Sequence, residues 1–334
     1  MSVAAANLQR PSGLLARCWQ FVVTGLLGAL ACSQALTSVI ALGWLQGMMR
    51  AHGLRVAGQT DPGPRWLFGP RGRGWIVRLF GGLAQCIRRG AIALTSLLLM
   101  TLPFTMLWLV SWAAGWENSF NKGYEQAFVG PIVGLTGVAL SMLVMLYLPL
   151  ALAHQAVEDR AFSMFELRRI RSALAHTGWG YALFAAMAVV MSLPVFAGRG
   201  LMVFGEGIWP GLADYSMDEV AELVTQIALV KGAYVFVTLV MLRRWLAGIY
   251  ARAVMRAGAG PDYHLWAGSA VLGSVPAPAS PEPLRSVGVV RWVRGAVILA
   301  IWFGLVAQIF VGQFLNHDWL IWLTHPQFLL PWAG

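Results

Sequence analysis

The chain has 334 residues, 58% of them hydrophobic and only 11% charged, where ordinary soluble domains carry roughly a quarter charged residues. Several uncharged apolar runs reach the ~20 residues a helix needs to cross ~30 Å of hydrocarbon, which excludes a soluble globular class and predicts an all-α, polytopic membrane protein. The net charge of +10 sits on arginines clustered in a few connections, with no zinc-finger or RNA-binding pattern, so it predicts membrane lipids as partners and no nucleic acid.

The first apolar run covers residues 19–49, about 46 Å at 1.5 Å per residue. It reads as one tilted span; a re-entrant pair broken near Ser33-Gln34 is the alternative. Ala29-Leu30-Ala31 resembles a signal cleavage site, but the apolar run continues to Met49, which favours an uncleaved helix. Five further spans follow at about 90–116, 128–154, 179–197, 223–242 and 293–314, the fifth inside a longer helix. Residues 75–89 and 161–175 read as amphipathic helices at the interface. In the second of these, Phe162, Phe165, Ile170, Ala173 and Leu174 share one arc, with Arg168, Arg171 and Ser172 opposite. Ser216-Met217-Asp218-Glu219 has capping-box spacing and predicts the start of the fifth helix. Residues 261–283, with Pro276, Pro278, Pro281 and Pro283, read as an extended linker. Residues 316–334, carrying Trp319, Trp322 and Trp332, read as a tail on the outer interface.

Charge alternates along the connections. Arg50, Arg55, Arg65, Arg71, Arg73, Arg78, Arg88 and Arg89 crowd the first; Arg160, Arg168, Arg169 and Arg171 the third; Arg243, Arg244, Arg252, Arg256, Arg285, Arg291 and Arg294 the fifth. The second and fourth are acidic. Positive-inside bias places the basic connections in the cytoplasm of a bacterial inner membrane. Six spans then put residues 1–18 outside despite Arg10 and Arg17. The short likeness of Arg89-Gly90-Ala91-Ile92-Ala93-Leu94 to Arg294-Gly295-Ala296-Val297-Ile298-Leu299 fits either an internal repeat or chance in apolar sequence.

Lys231 stands inside the otherwise uncharged run 223–242. An ammonium at that depth costs a few kcal/mol unless it snorkels, reaches water or is paired, so Lys231 is the candidate intramembrane polar site. Arg168, Arg169, Arg171, Arg243 and Arg244, at span ends and on the amphipathic segment, are candidate lipid-headgroup contacts. His52, His154, His176, His264, His317 and His325 fall at span ends or in connections, and no HExxH, GxSxG or Walker A pattern occurs. No catalytic residue, cofactor ligand or metal site is therefore assigned, and the chain is not expected to be an enzyme. Three cysteines (Cys18, Cys32, Cys86) without CxxC spacing predict no disulfide framework.

Leu148-Pro149-Leu150-Ala151-Leu152-Ala153, then Glu158-Asp159-Arg160 and Phe165-Glu166-Leu167-Arg168 before a second apolar run, resemble part of an uncharacterised family of polytopic prokaryotic membrane proteins over about residues 146–193. The resemblance implies a helical bundle with an amphipathic segment between two spans, and no activity or functional residue. The expected role is a non-catalytic accessory or scaffold subunit of a bacterial inner-membrane complex, with other membrane subunits as partners. The alternative is a transporter or permease component with its site at Lys231.

Overall fold

Ser33 and Gln34 break the first apolar run. In the computed structural model, which describes residues 14–60, 74–111, 129–203, 207, 211, 214–276, 278, 288–316 and 330–332, helix α1 is Leu14–Cys32 and α2 is Ala35–Val56. The single tilted span expected over 19–49 is therefore two helices. Hydroxyls take the carbonyls freed at the break: Ser33 Oγ donates to Leu30 O at 2.9 Å and Thr37 Oγ1 to Ala31 O at 2.9 Å. Such side chains offer the backbone a local alternative to the helical ladder.

The remaining helices are α3 (Trp75–Ser111), α4 (Val129–Glu158), α5 (Leu167–His176), α6 (Gly180–Val203), α7 (Met217–Gly258), the single turn α8 (Tyr263–Trp266) and α9 (Gly288–Asn316). No strand occurs among the described residues. Five helical segments there are long and apolar enough to cross a membrane: Leu79–Ser111, Gly130–Glu158, Gly180–Gly198, Asp218–Gly258 and Gly288–Gly312. Phe21–Cys32 is apolar but shorter. The protein is thus an all-α, multi-pass membrane protein. Large apolar side chains such as Phe21, Leu99, Ile132, Leu183, Val230 and Phe303 face outward, as a lipid-facing wall requires.

The capping box forms as the spacing predicts. Ser216 N donates to Glu219 Oε2 at 2.7 Å, and Glu219 N donates back to Ser216 Oγ at 3.3 Å. Residues 75–89 are not a separate interfacial helix; they continue into α3 without a break. Helices α2 and α3 cross backbone to backbone: a Cβ on Gly43 would overlap the Cys86 carbonyl oxygen, and one on Gly90 the Val39 carbonyl oxygen. Small residues permit such contact where no water drives helices together.

The segment after α4 is split. A 3-10 turn, Ser163–Phe165, precedes α5, and Glu166 has non-helical dihedrals between them. Ile170 and Ala173 turn inward while Phe162 and Phe165 stay exposed, so the expected apolar arc is divided. The expected linker 261–283 is also corrected over its described part. Trp266, Val271 and Leu272 are buried in the main core, and Ala270 N donates to the Glu158 carboxylate at 3.1 Å. Apolar anchors override the Gly- and Ser-rich composition there. Most of the expected tail 316–334 lies outside the described residues.

Three arginine-rich connections meet at one end of the bundle. Arg50 donates to Val157 O, Arg89 pairs with Asp159, Arg256 Nη1 donates to His176 O at 3.1 Å, and Arg294 Nη2 to Ala175 O at 3.1 Å. Arg294 and Arg256 thus cap free carbonyls at the C-terminus of α5, where a cation also meets the negative end of the helix dipole.

Candidate functional site

Helix α7 carries Arg243 in phase with Leu239, Leu246 and Tyr250, four residues before and three and seven after, all buried. Spacings of three, four and seven share one helical face, so the guanidinium follows the apolar stripe into the bundle. Arg243 is 4% exposed. Its Nη1 and Nη2 have no hydrogen-bond partner among the described residues.

Arg243 lines a cavity of about 40 Å³, in a partly open recess where α3, α4, α6, α7 and α9 converge. Leu97, Leu148, Phe184, Leu242 and Trp302 are among the apolar side chains of the wall. Pro149, also on the wall, has no N–H to give the carbonyl four residues before it. The Trp302 indole, also on the wall, faces the Tyr181 hydroxyl. A water needs only about 10–15 Å³ of such space, so the pocket is roomy enough for a small polar group. A charge removed from water without partner or acceptor costs several kcal/mol. The arrangement can therefore bind an anion.

A second polar centre lies at the arginine-rich end. His154, fully buried on α4, places Nδ1 2.6 Å from the Tyr250 hydroxyl of α7 and Nε2 3.0 Å from Glu166 Oε2. A carboxylate only accepts, so Nε2 carries a hydrogen and the neutral ring accepts from Tyr250 through Nδ1. Glu166 accepts from Arg160 Nη2 at 2.7 Å and from Arg169 Nη1 at 2.8 Å. Burial pushes the Glu166 carboxyl up, but the His154 hydrogen bond and the two guanidiniums outweigh it and hold the group below its ordinary value. Arg169 Nε also donates to Leu265 O at 2.7 Å, and its guanidinium lies 5.9 Å from the Trp266 ring centre. Trp266 Nε1 donates to Ser172 Oγ, which donates to Asp262 Oδ2 at 2.6 Å. This network ties α4, α5, α7 and the 262–266 segment together with its donors matched to acceptors. It braces these segments against one another. Among the described residues no group of three or more His, Cys, Asp or Glu is placed to hold a metal.

The structure separates the five arginines read as headgroup contacts. Arg168 and Arg171 are exposed on α5, and Arg244 is exposed on α7. Arg244 stands with Arg55 and Arg252 around His52, and burial together with these three cations lowers the His52 pKa from its ordinary value. Arg169 and Arg243 instead turn inward, because their helical phase matches buried neighbours. Lys231 is partly exposed, has an interaction of its own, and runs its stem close to Gly198 of α6. It lies twelve residues from Arg243, about 18 Å along α7, outside the cavity. Sequence reasoning missed Arg243 as an interior group and His154 as a buried one. The stripe Leu239, Leu246, Tyr250 could have shown the first; the partners of His154 lie too far along the chain to be paired by spacing.

No family model, curated protein or solved structure matches the chain, so none bears on the resemblance over 146–193.

Proposed function

We propose that the protein is a non-catalytic component of the bacterial cytoplasmic membrane that takes an anionic solute into the middle of its bundle, as a transporter or the binding subunit of a transport assembly. The observation that carries this reading is the buried guanidinium of Arg243, without an acceptor among the described residues, on a cavity shared by five helices. Prolines inside α3, α4 and α6 (Pro103, Pro149, Pro194) support it, since each removes a rung of the helical ladder and leaves a place where the helix can bend. The site of the reading is Arg243 rather than Lys231. Positive-inside bias puts the arginine-rich end in the cytoplasm, where Arg168, Arg171 and Arg244 meet anionic headgroups.

A second reading, an accessory subunit of a larger membrane assembly, draws on Phe162, Phe165 and Leu167, exposed beside Arg168 and Arg171. There the cavity serves only packing. Proteoliposomes loaded with octyl phosphate, which stays charged and crosses bare lipid slowly, separate the two. The transport reading expects flux in the wild type and in Lys231→Met, and none in Arg243→Gln. Absence of flux in all three, with stoichiometric co-purification of other membrane subunits, favours the accessory reading.

A further inference from the structure

The walls around Arg243 say what kind of anion fits. Leu97, Leu148, Phe184, Leu242 and Leu305 offer no hydrogen-bonding side-chain atom, and the lining donors that lack an acceptor among the described residues are the two Nη atoms of Arg243. A small hydrated anion such as chloride or inorganic phosphate would exchange a full water shell for the two Nη groups of Arg243 on one side and hydrocarbon on every other. Desolvation of that kind is unfavourable. An anion that brings its own hydrocarbon meets both halves of the site: the head finds charge-assisted hydrogen bonds, and the tail replaces apolar wall-to-water contact.

We infer that the cavity is a binding site for an amphiphile, a carboxylate or phosphate head on a hydrocarbon chain, with the head on Arg243 and the chain along the recess between α4, α6 and α9. This rests on the anion reading of the same site and names its ligand class. One Arg and no second cation in the lining favour a carboxylate or a singly ionised phosphate over a phosphate dianion. The recess is partly open: its enclosed space, about 40 Å³, takes the head, and the chain runs out through the open side. Lys231, outside the lining, plays no part.

The test is photolabelling of the full chain in phosphatidylcholine nanodiscs with a twelve-carbon diazirine carboxylate, the labelled peptides being mapped by mass spectrometry. The label should fall on α4 and α9 around Leu148 and Trp302. It should drop at least about tenfold in Arg243→Met, the loss expected for one charge-assisted contact, and stay unchanged in Lys231→Met. Leu148→Trp, which keeps the charge and fills the recess, should also lose label, so the result does not depend on how Arg243→Met folds. Dodecanoate and dodecyl phosphate should compete, whereas acetate and inorganic phosphate should not. Competition by phosphatidylglycerol in the disc assigns the site to a resident lipid, and its absence assigns it to a free single-chain solute. Equal labelling of wild type and Arg243→Met, or competition by inorganic phosphate as strong as by dodecanoate, overturns the inference. Arg243-dependent labelling without octyl phosphate flux overturns the transport reading alone. Arg243-dependent flux of a small anion without labelling overturns this inference alone.

Discussion

Arg89 closes a fork on Asp159, with Nε 3.0 Å from one carboxylate oxygen and Nη2 2.8 Å from the other. Asp159 is the sole non-glycine residue at positive φ (54°) among those described, so the pair both bridges α3 to α4 and secures the left-handed turn that ends α4. Asp159→Ala removes the fork and leaves a Cβ in the disfavoured region, at a combined cost of about 2–3 kcal/mol. Asp159→Gly loses the fork but relieves the backbone, and should be about 1 kcal/mol less damaging. Unfolding in micelles measures both. A double-mutant cycle with Arg89→Met should give a coupling of about 1 kcal/mol or more; zero coupling would show the pair to be idle.

Acidification should weaken the fold in two windows. The folded pKa of His52 is lowered by burial and by Arg244, Arg55 and Arg252. The unfolded chain therefore binds that proton more readily, and the contribution is present above the ordinary 6.5 and lost as pH falls through the lower folded value. Glu166 is also held below its ordinary 4.5, so its contribution is present above 4.5 and lost on further acidification. Melting temperature should fall first just below pH 6.5 and again below pH 4.5. His52→Asn should lessen the first fall and Glu166→Gln the second. A wild-type profile flat from pH 7 to 3 contradicts both assignments.

Helix α2 should tolerate no side chain where it crosses α3. Gly43→Ala and Gly90→Ala each push a methyl group into a carbonyl oxygen of the facing helix and should destabilise by about 1–3 kcal/mol. Gly25→Ala meets nothing within 4 Å and should raise stability slightly through helix propensity. Paired melts of the three variants check this, and equal melting of all three would mean that the crossing is not held as described.

Arg243→Met should stabilise the isolated protein. It replaces a buried charge without an acceptor by an apolar side chain of similar length, a change often neutral or favourable by about 1–4 kcal/mol. The gain should appear as a higher unfolding midpoint in detergent and shrink when dodecyl phosphate is added to the wild type alone. A midpoint lowered by several degrees would place an unseen acceptor on the guanidinium.

The class of the protein was legible from local properties. Hydropathy marks stretches that cannot remain in water, arginine crowding marks connections that share a side, and Ser216 with Glu219 marks a helix start within four residues. Each is a short-range signal, and the helices, the shared arginine-rich end and the cap follow them. Depth and direction were not legible. Helix α7 runs 42 residues, about 63 Å, twice what a bilayer needs, so its own composition cannot decide which part lies among neighbours. Packing by α1, α2, α4 and α6 decides it, and that draws Arg243 inside while its neighbour Arg244 stays exposed. His154 shows the same limit. Its environment is built by Tyr250, Glu166 and Trp266, which only folding brings to its ring, and burial is a property of those arrivals rather than of the residue's place in the chain.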